Sequence, residues 1–228
     1  MAPRIKHLDH FRIDTLSDGI FSIALTLLGF DLIGVVKKTA ESETLNAGLQ
    51  EHWPVFLSFF LGFFVLYALW YEYHVTSQYV DSTTSLVIWQ HGMIMLMATL
   101  VPFGTSLLGE YINTPEMNWA VFYFGIILFA EKPLSVIFLL VMTKGDKSAF
   151  KLKPDAPVSA EEWAKLGITF YSLVTVYGLV SVIVALFAPW IALAMYAGYL
   201  ATKLNPVGSL QASMLRISKV AGVKIPTD

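Results

Sequence analysis

The stretch Arg12-Ile13-Asp14-Thr15-Leu16-Ser17-Asp18-Gly19-Ile20-Phe21-Ser22-Ile23-Ala24-Leu25-Thr26-Leu27-Leu28-Gly29-Phe30 decides how this chain is read. It opens an apolar run over 13–36 whose only charges are Asp14, Asp18 and Asp31. A helix that crosses a bilayer needs about 20 mostly apolar residues, so the run predicts a membrane span. The same criterion, carried outward, gives further spans at 53–73, 85–108, 119–142 and 166–187, and a short one at 189–204. Trp53, Trp70, Tyr71 and Tyr73 sit at the ends of the second span, as an interfacial aromatic belt requires. Glu131, Lys132 and Pro133 fall in the middle of the fourth. Ala188-Pro189-Trp190 divides the last two, because proline disfavours helix at the residue before it. The polar segments 37–51, 74–84, 109–118 and 143–165 read as loops. The expectation is an all-α integral membrane protein with six transmembrane helices, forming one domain over 1–204 with a tail over 205–228.

Composition agrees. Of 228 residues, 56% are hydrophobic and only 14% charged, and mean hydropathy is +0.62. A soluble domain carries about a quarter charged residues, and a water-facing surface needs that charge. There is no cysteine, which excludes disulfides, thiolate metal sites and cysteine nucleophiles. A net charge of −2 offers no basic field for nucleic acid. The first apolar run is of full membrane length and holds Asp18, unlike the short core of a cleavable signal peptide. His7, His10, His52, His74 and His91 lack metal-ligand spacing. No Gly-x-Ser-x-Gly, Walker or dinucleotide fingerprint is present. Nothing here points to an enzyme, a cofactor or a resident metal.

Basic residues orient the spans. Six crossings place Arg4, Lys6, Arg12, the five lysines from Lys144 to Lys165, Lys203, Arg216, Lys219 and Lys224 on one side, and only Lys37 and Lys38 on the other. By the positive-inside rule both termini are expected in the cytoplasm, and the tail with them. Arg12, Asp18, Trp70, His74, Asp81 and Trp89, with Gln90 beside it, then share one depth near the cytoplasmic face. Ionisable groups at membrane depth mark function or a structural tie; the alternative for His74 and Asp81 is a solvated interfacial belt. Arg12 and Asp18 are six residues apart, so they do not face each other on one helix and are expected to bridge to other helices. Glu131 and Lys132 read as a neutralised pair in a helix kinked by Pro133.

Ile23, Thr26, Leu27 and Phe30 follow i, i+3, i+4, i+7 and form one stripe of the first helix. Leu27 lies roughly 13 Å along the axis from Asp18, near mid-membrane. Ser22 and Thr26 are the small polar residues of this neighbourhood. From the residues alone such a stripe is usually ordinary helix packing, and something further is needed to read it as a pore.

The segment Arg12-Ile13-Asp14-Thr15-Leu16-Ser17-Asp18-Gly19 resembles the Arg-x-x-x-Phe-Ser-Asp signature of the transmembrane protein 175 potassium-channel family, with Leu16 in place of the phenylalanine. The likeness continues through 20–28, at Trp70-x-x-x-His74, at Asp81, at Val101-Pro102-Phe103-x-x-x-Leu107-Leu108-Gly109 and at Ala188-Pro189-Trp190. The resemblance implies a homotetramer of single six-helix repeats whose first helices line a central, potassium-favouring pore. It implies constriction by Ile23, Leu27 and Phe30, and a selectivity hydroxyl at Thr26. It further implies an interhelical network of Arg12, Ser17 and Asp18 with Trp70 and His74. The Thr-Val-Gly-Tyr-Gly filter of ordinary potassium channels is absent. Potassium in transit and the lipid bilayer are then the expected partners. The competing readings are a proton channel, since His74, His91 and Glu131 lie near or within spans, a secondary transporter, and a non-conducting scaffold. Transporters are marked by inverted repeats and matched broken helices, and the sequence has neither.

Overall fold

A computed structural model describes residues 10–79, 85–144, 152–154, 158–203 and 218. Its described elements are helices: α1 (His10–Thr39), α2 (Leu45–Glu51), α3 (Trp53–Tyr79), α4 (Ser85–Tyr111), α5 (Met117–Phe129), α6 (Glu131–Lys144), α7 (Ala160–Ala185) and α8 (Pro189–Ala201). Five stretches are long and apolar enough to cross a bilayer: 12–39, 53–78, 86–111, 117–144 and 160–185. The chain is a multi-pass membrane protein whose described elements are helices. The expected sixth span, 189–204, is represented by α8, a helix of 13 residues. At 1.5 Å per residue that is roughly 20 Å, short of the hydrocarbon thickness of about 30 Å.

Several boundaries differ from expectation because apolar windows miss polar helix ends. α3 continues past Tyr73 through the expected loop as far as Tyr79, and α7 begins at Ala160 rather than 166. Ser159 explains that start: its hydroxyl accepts from the Glu162 N–H, and the Glu162 carboxylate accepts from the Ser159 N–H. This reciprocal cap satisfies amides that a helix N-terminus leaves unpaired. Within the expected loop 37–51, Thr44 caps the short α2. The fourth span is broken at Ala130 between α5 and α6. Pro133, third residue of α6, has no N–H for the Phe129 carbonyl, which is the reason the helix does not run through. Asp81 and the tail, apart from Ser218, lie outside the described residues.

The bundle has two halves. In one, α1, α3 and α4 pack on each other; in the other, α5, α6 and α7 pack on each other and α8 packs on α5 and α7; α4 joins the halves by packing on α5 and α6, and α8 also meets α3. Their shared core contains Phe21, Ala24 and Leu28 of α1, Val65 and Leu66 of α3, Val101 and Leu108 of α4, Val121 and Phe124 of α5, and Tyr196 of α8, all buried. Close approach there depends on small residues, as it does generally between helices in lipid. At Gly178 of α7 an added Cβ would meet the Phe129 Cγ at 2.6 Å and its Cβ at 2.8 Å. These atoms lie at the base of the ring and cannot swing aside. Gly178→Ala should therefore destabilise the folded chain by about 1–3 kcal/mol, the usual cost of overpacking, read as a lower thermal midpoint of the protein in detergent.

The α1 face and its anchors as candidate functional site

Helix α1 divides its side chains between two faces. Ile13, Ser17, Phe21, Ala24, Leu28 and Val35 are buried. Their spacing of three, four and seven residues places them on the side that packs on α3 and α4. The opposite side is open in the single chain: Ile23 is 62% exposed, Leu27 45% and Phe30 58%. Leu16, Ile33 and Val36 extend this apolar strip toward both ends, and nothing lies within 4 Å of where a Cβ would stand on Gly19 or Gly34. Ser22 and Thr26 are exposed beside it. Each hydroxyl donates one turn back along the helix, Ser22 to the Asp18 carbonyl at 2.7 Å and Thr26 to the Ser22 carbonyl at 2.8 Å. With its proton engaged there, the Thr26 oxygen keeps acceptor capacity that a cation can use.

Two hydrogen bonds anchor the helix near its start. The Trp70 indole N–H donates to the Asp18 carboxylate at 2.9 Å, and the Tyr73 hydroxyl donates to the Asp14 carboxylate at 2.6 Å. Asp14 and Asp18 are four apart on α1, and Trp70 and Tyr73 three apart on α3, so both pairs meet across one helix contact. His74 stacks on Trp70 with ring centroids 5.2 Å apart and an angle of 15°. Its Nε2 lies 2.9 Å from the Gln78 amide nitrogen. The Tyr73 ring meets His91 of α4 edge-on at 4.9 Å.

The residues named from sequence are thus brought together in part. Asp18, Trp70 and His74 form one cluster, and Ser17 is fully buried beneath it. Arg12 and Leu16 are exposed. Trp89, placed at the same depth, is also exposed, whereas Gln90 turns inward to donate to Ser135 at 3.3 Å. The Asp14–Tyr73 bond escaped the sequence reading, although the i, i+4 acids opposite i, i+3 aromatics were a usable signal. Farther along α1, Asp31 accepts from Ser106 of α4 at 2.8 Å, which accounts for the third charge in the run. Among the described residues no group of three or more His, Asp or Glu converges as a metal site.

Comparison with known proteins adds to this geometry. The sequence pattern of the family described as endosomal/lysosomal potassium channel TMEM175 matches residues 12–102, which hold α1, α3 and most of α4. A protein of Chamaesiphon minutus named as a potassium channel is 34% identical over 118 residues, 51% of this chain and 58% of that relative. One of Streptomyces collinus, also named as a potassium channel, is 28% identical over 102 residues, 45% of this chain and 48% of the relative. The endosomal/lysosomal proton channel TMEM175 of Danio rerio is 35% identical over 83 residues, 33% of this chain and 16% of the relative. The chain therefore spans about half the length of the bacterial relatives it matches. In three dimensions it is similar to the crystal structure of a lysosomal potassium-selective channel TMEM175 homologue from Chamaesiphon minutus. The TM-score is 0.65 at 23% identity, over 84% of this chain and 96% of that one. At that identity the likeness speaks for the fold, while the sequence pattern is independent of it. Residues 12–102 thus carry the TMEM175 sequence pattern, and the chain as a whole is similar in fold to a TMEM175 homologue.

Proposed function

We propose that the protein is a potassium-selective cation channel in which α1 helices of a homotetramer surround the ion path. The observation that carries this reading is the division of α1. One side is buried and tied to α3 by two carboxylates, and the other presents Ile23, Leu27 and Phe30 with Ser22 and Thr26 beside them. One such helix cannot enclose a path, so several copies are needed. Bacterial relatives named as potassium channels support the choice of ion. Both termini are placed in the cytoplasm on the strength of the basic residues.

In this reading apolar rings at Ile23, Leu27 and Phe30 form a constriction that closes by shedding water, and motion of α1 hydrates it. Ions lose part of their shell there, and four Thr26 oxygens replace a fraction of it. That is fewer dipoles than a stack of carbonyls supplies, so discrimination against sodium is modest. Proton conduction is the second reading, favoured by the relative named as a proton channel. Secondary transport and a scaffold role without flux stand behind both.

Reversal potentials of the purified protein in planar bilayers discriminate among these readings. A potassium gradient should set the reversal voltage. Dependence on a pH gradient instead would replace the reading by proton conduction, and no current in either gradient would favour a scaffold. Leu27→Ala should raise the current, since it widens and wets one of the constricting rings; unchanged current would remove Leu27 from the constriction. Thr26→Val keeps the shape and removes the oxygen, and should lower the potassium-to-sodium permeability ratio. Asp18→Ala leaves the Trp70 N–H without its acceptor, at a cost of about 1.5–3 kcal/mol for a charged hydrogen bond. It should reduce the yield of tetramer seen by native mass spectrometry; a normal yield of stable tetramer would count against the anchoring role.

A further inference from the structure

Four charged side chains meet inside the bundle, away from the open face of α1. Glu72 of α3 accepts from Lys132 of α6 at 2.5 Å and from Lys203, just beyond α8. Lys132 also pairs with Glu131 at 2.7 Å, and Glu131 accepts from the Ser135 hydroxyl at 2.5 Å. The Lys132 ammonium stands 5.6 Å from the Tyr171 ring centroid, and that of Lys203 stands 4.5 Å from the Phe170 ring and 5.4 Å from the Tyr199 ring. Lys132 is 2% exposed and Glu131 4%. Two carboxylates and two ammonium groups neutralise one another, which is the condition under which such charges persist away from water. The expected pairing of Glu131 with Lys132 is present, but it is half of a larger arrangement. Glu72, the single charged residue in 53–73, is its centre.

The position of Glu72 on α3 gives the arrangement a consequence. At about 100° per residue, Glu72 projects about 200° around the helix from Trp70 and about 100° from Tyr73, within one turn of both. On one side Trp70 and Tyr73 hold Asp18 and Asp14 of α1; on the other Glu72 holds Lys132 and Lys203. A rotation of α3 about its axis must break one set of bonds or the other. We infer that Glu72, with Lys132 and Lys203, is a positioning residue for α1: the charge cluster fixes the rotation of α3, and Trp70 and Tyr73 pass that rotation on to the open face. The value of this to permeation rests on the channel reading, but the mechanical claim does not.

Hydrogen–deuterium exchange of the full chain in lipid nanodiscs tests it without any measurement of current. The double variant Glu72→Gln/Lys203→Met removes one charge of each sign and leaves the Glu131–Lys132 pair neutral. Exchange in 12–31 of α1 should rise by at least about tenfold, as local opening without global unfolding, while 117–129 of α5 is unchanged. Lys203→Met alone keeps the Lys132 bridge and should give a smaller rise in the same segment. Glu72→Asp should restore most of the protection. A rise confined to α6 and α8 would make the cluster a local staple, and a rise shared evenly by all helices in both variants would make it a general stabiliser; either result overturns the inference. Selective loosening of α1 in a chain that conducts no ion would keep the inference and end the channel reading.

Discussion

Two carboxylates near the start of α1 find hydrogen-bond donors on one neighbouring helix, and those bonds seat the first helix. Asp14 and Asp18 are satisfied by Tyr73 and Trp70 of one neighbouring helix. Apolar packing in lipid has little directional preference, since the acyl chains are as apolar as the side chains. Phe21, Ala24 and Leu28 fill the contact with α3 and α4. Two hydrogen bonds to side chains one turn apart add a directional constraint to that packing.

From that seat follows the division of α1 into a held face and an open one. The open face carries large apolar residues with two hydroxyls beside them, and the hydroxyl protons are engaged along the helix itself. In lipid this would be an unremarked surface. Around a symmetry axis it would combine narrowness, dryness and a few oxygen ligands, which is what a gate without a carbonyl filter requires. The far end of the helix is tied as well, by Asp31 to Ser106. Both ends of α1 are therefore registered against the rest of the subunit by polar contacts, while the middle is held by packing alone.

Much of this was legible in the residues. Apolar length located the spans, because hydrocarbon thickness sets a minimum that soluble helices need not meet. Its limits were those of an apolar window. It could not see the polar last turns of α3 or the first turns of α7, which hydrogen bonding and a cap extend beyond the hydrophobic stretch. The Ser-Asp pair stood out in α1, and the match between 12–102 and the family pattern bears out the resemblance drawn from it. Trp70 and His74 were named, and they do meet beside Asp18. Tyr73 was read as a belt aromatic and Glu72 was passed over among its aromatic neighbours. Their roles depend on which way α3 is turned, and a helix as uniformly apolar as this one carries no periodic signal of that turn.

The amino-acid order by itself determined that the chain is helical and embedded, where its crossings lie, which charges would need partners, and which side chains share a stripe of α1. These are properties of composition, length and the 3.6-residue period, and each can be computed along one dimension. The tertiary structure alone decided the partners: Asp14 with Tyr73, Asp31 with Ser106, and Glu72 with lysines 60 and 131 positions away in the chain. Such pairings depend on the rotation and depth at which separate helices meet, and those are set by the simultaneous packing of all of them.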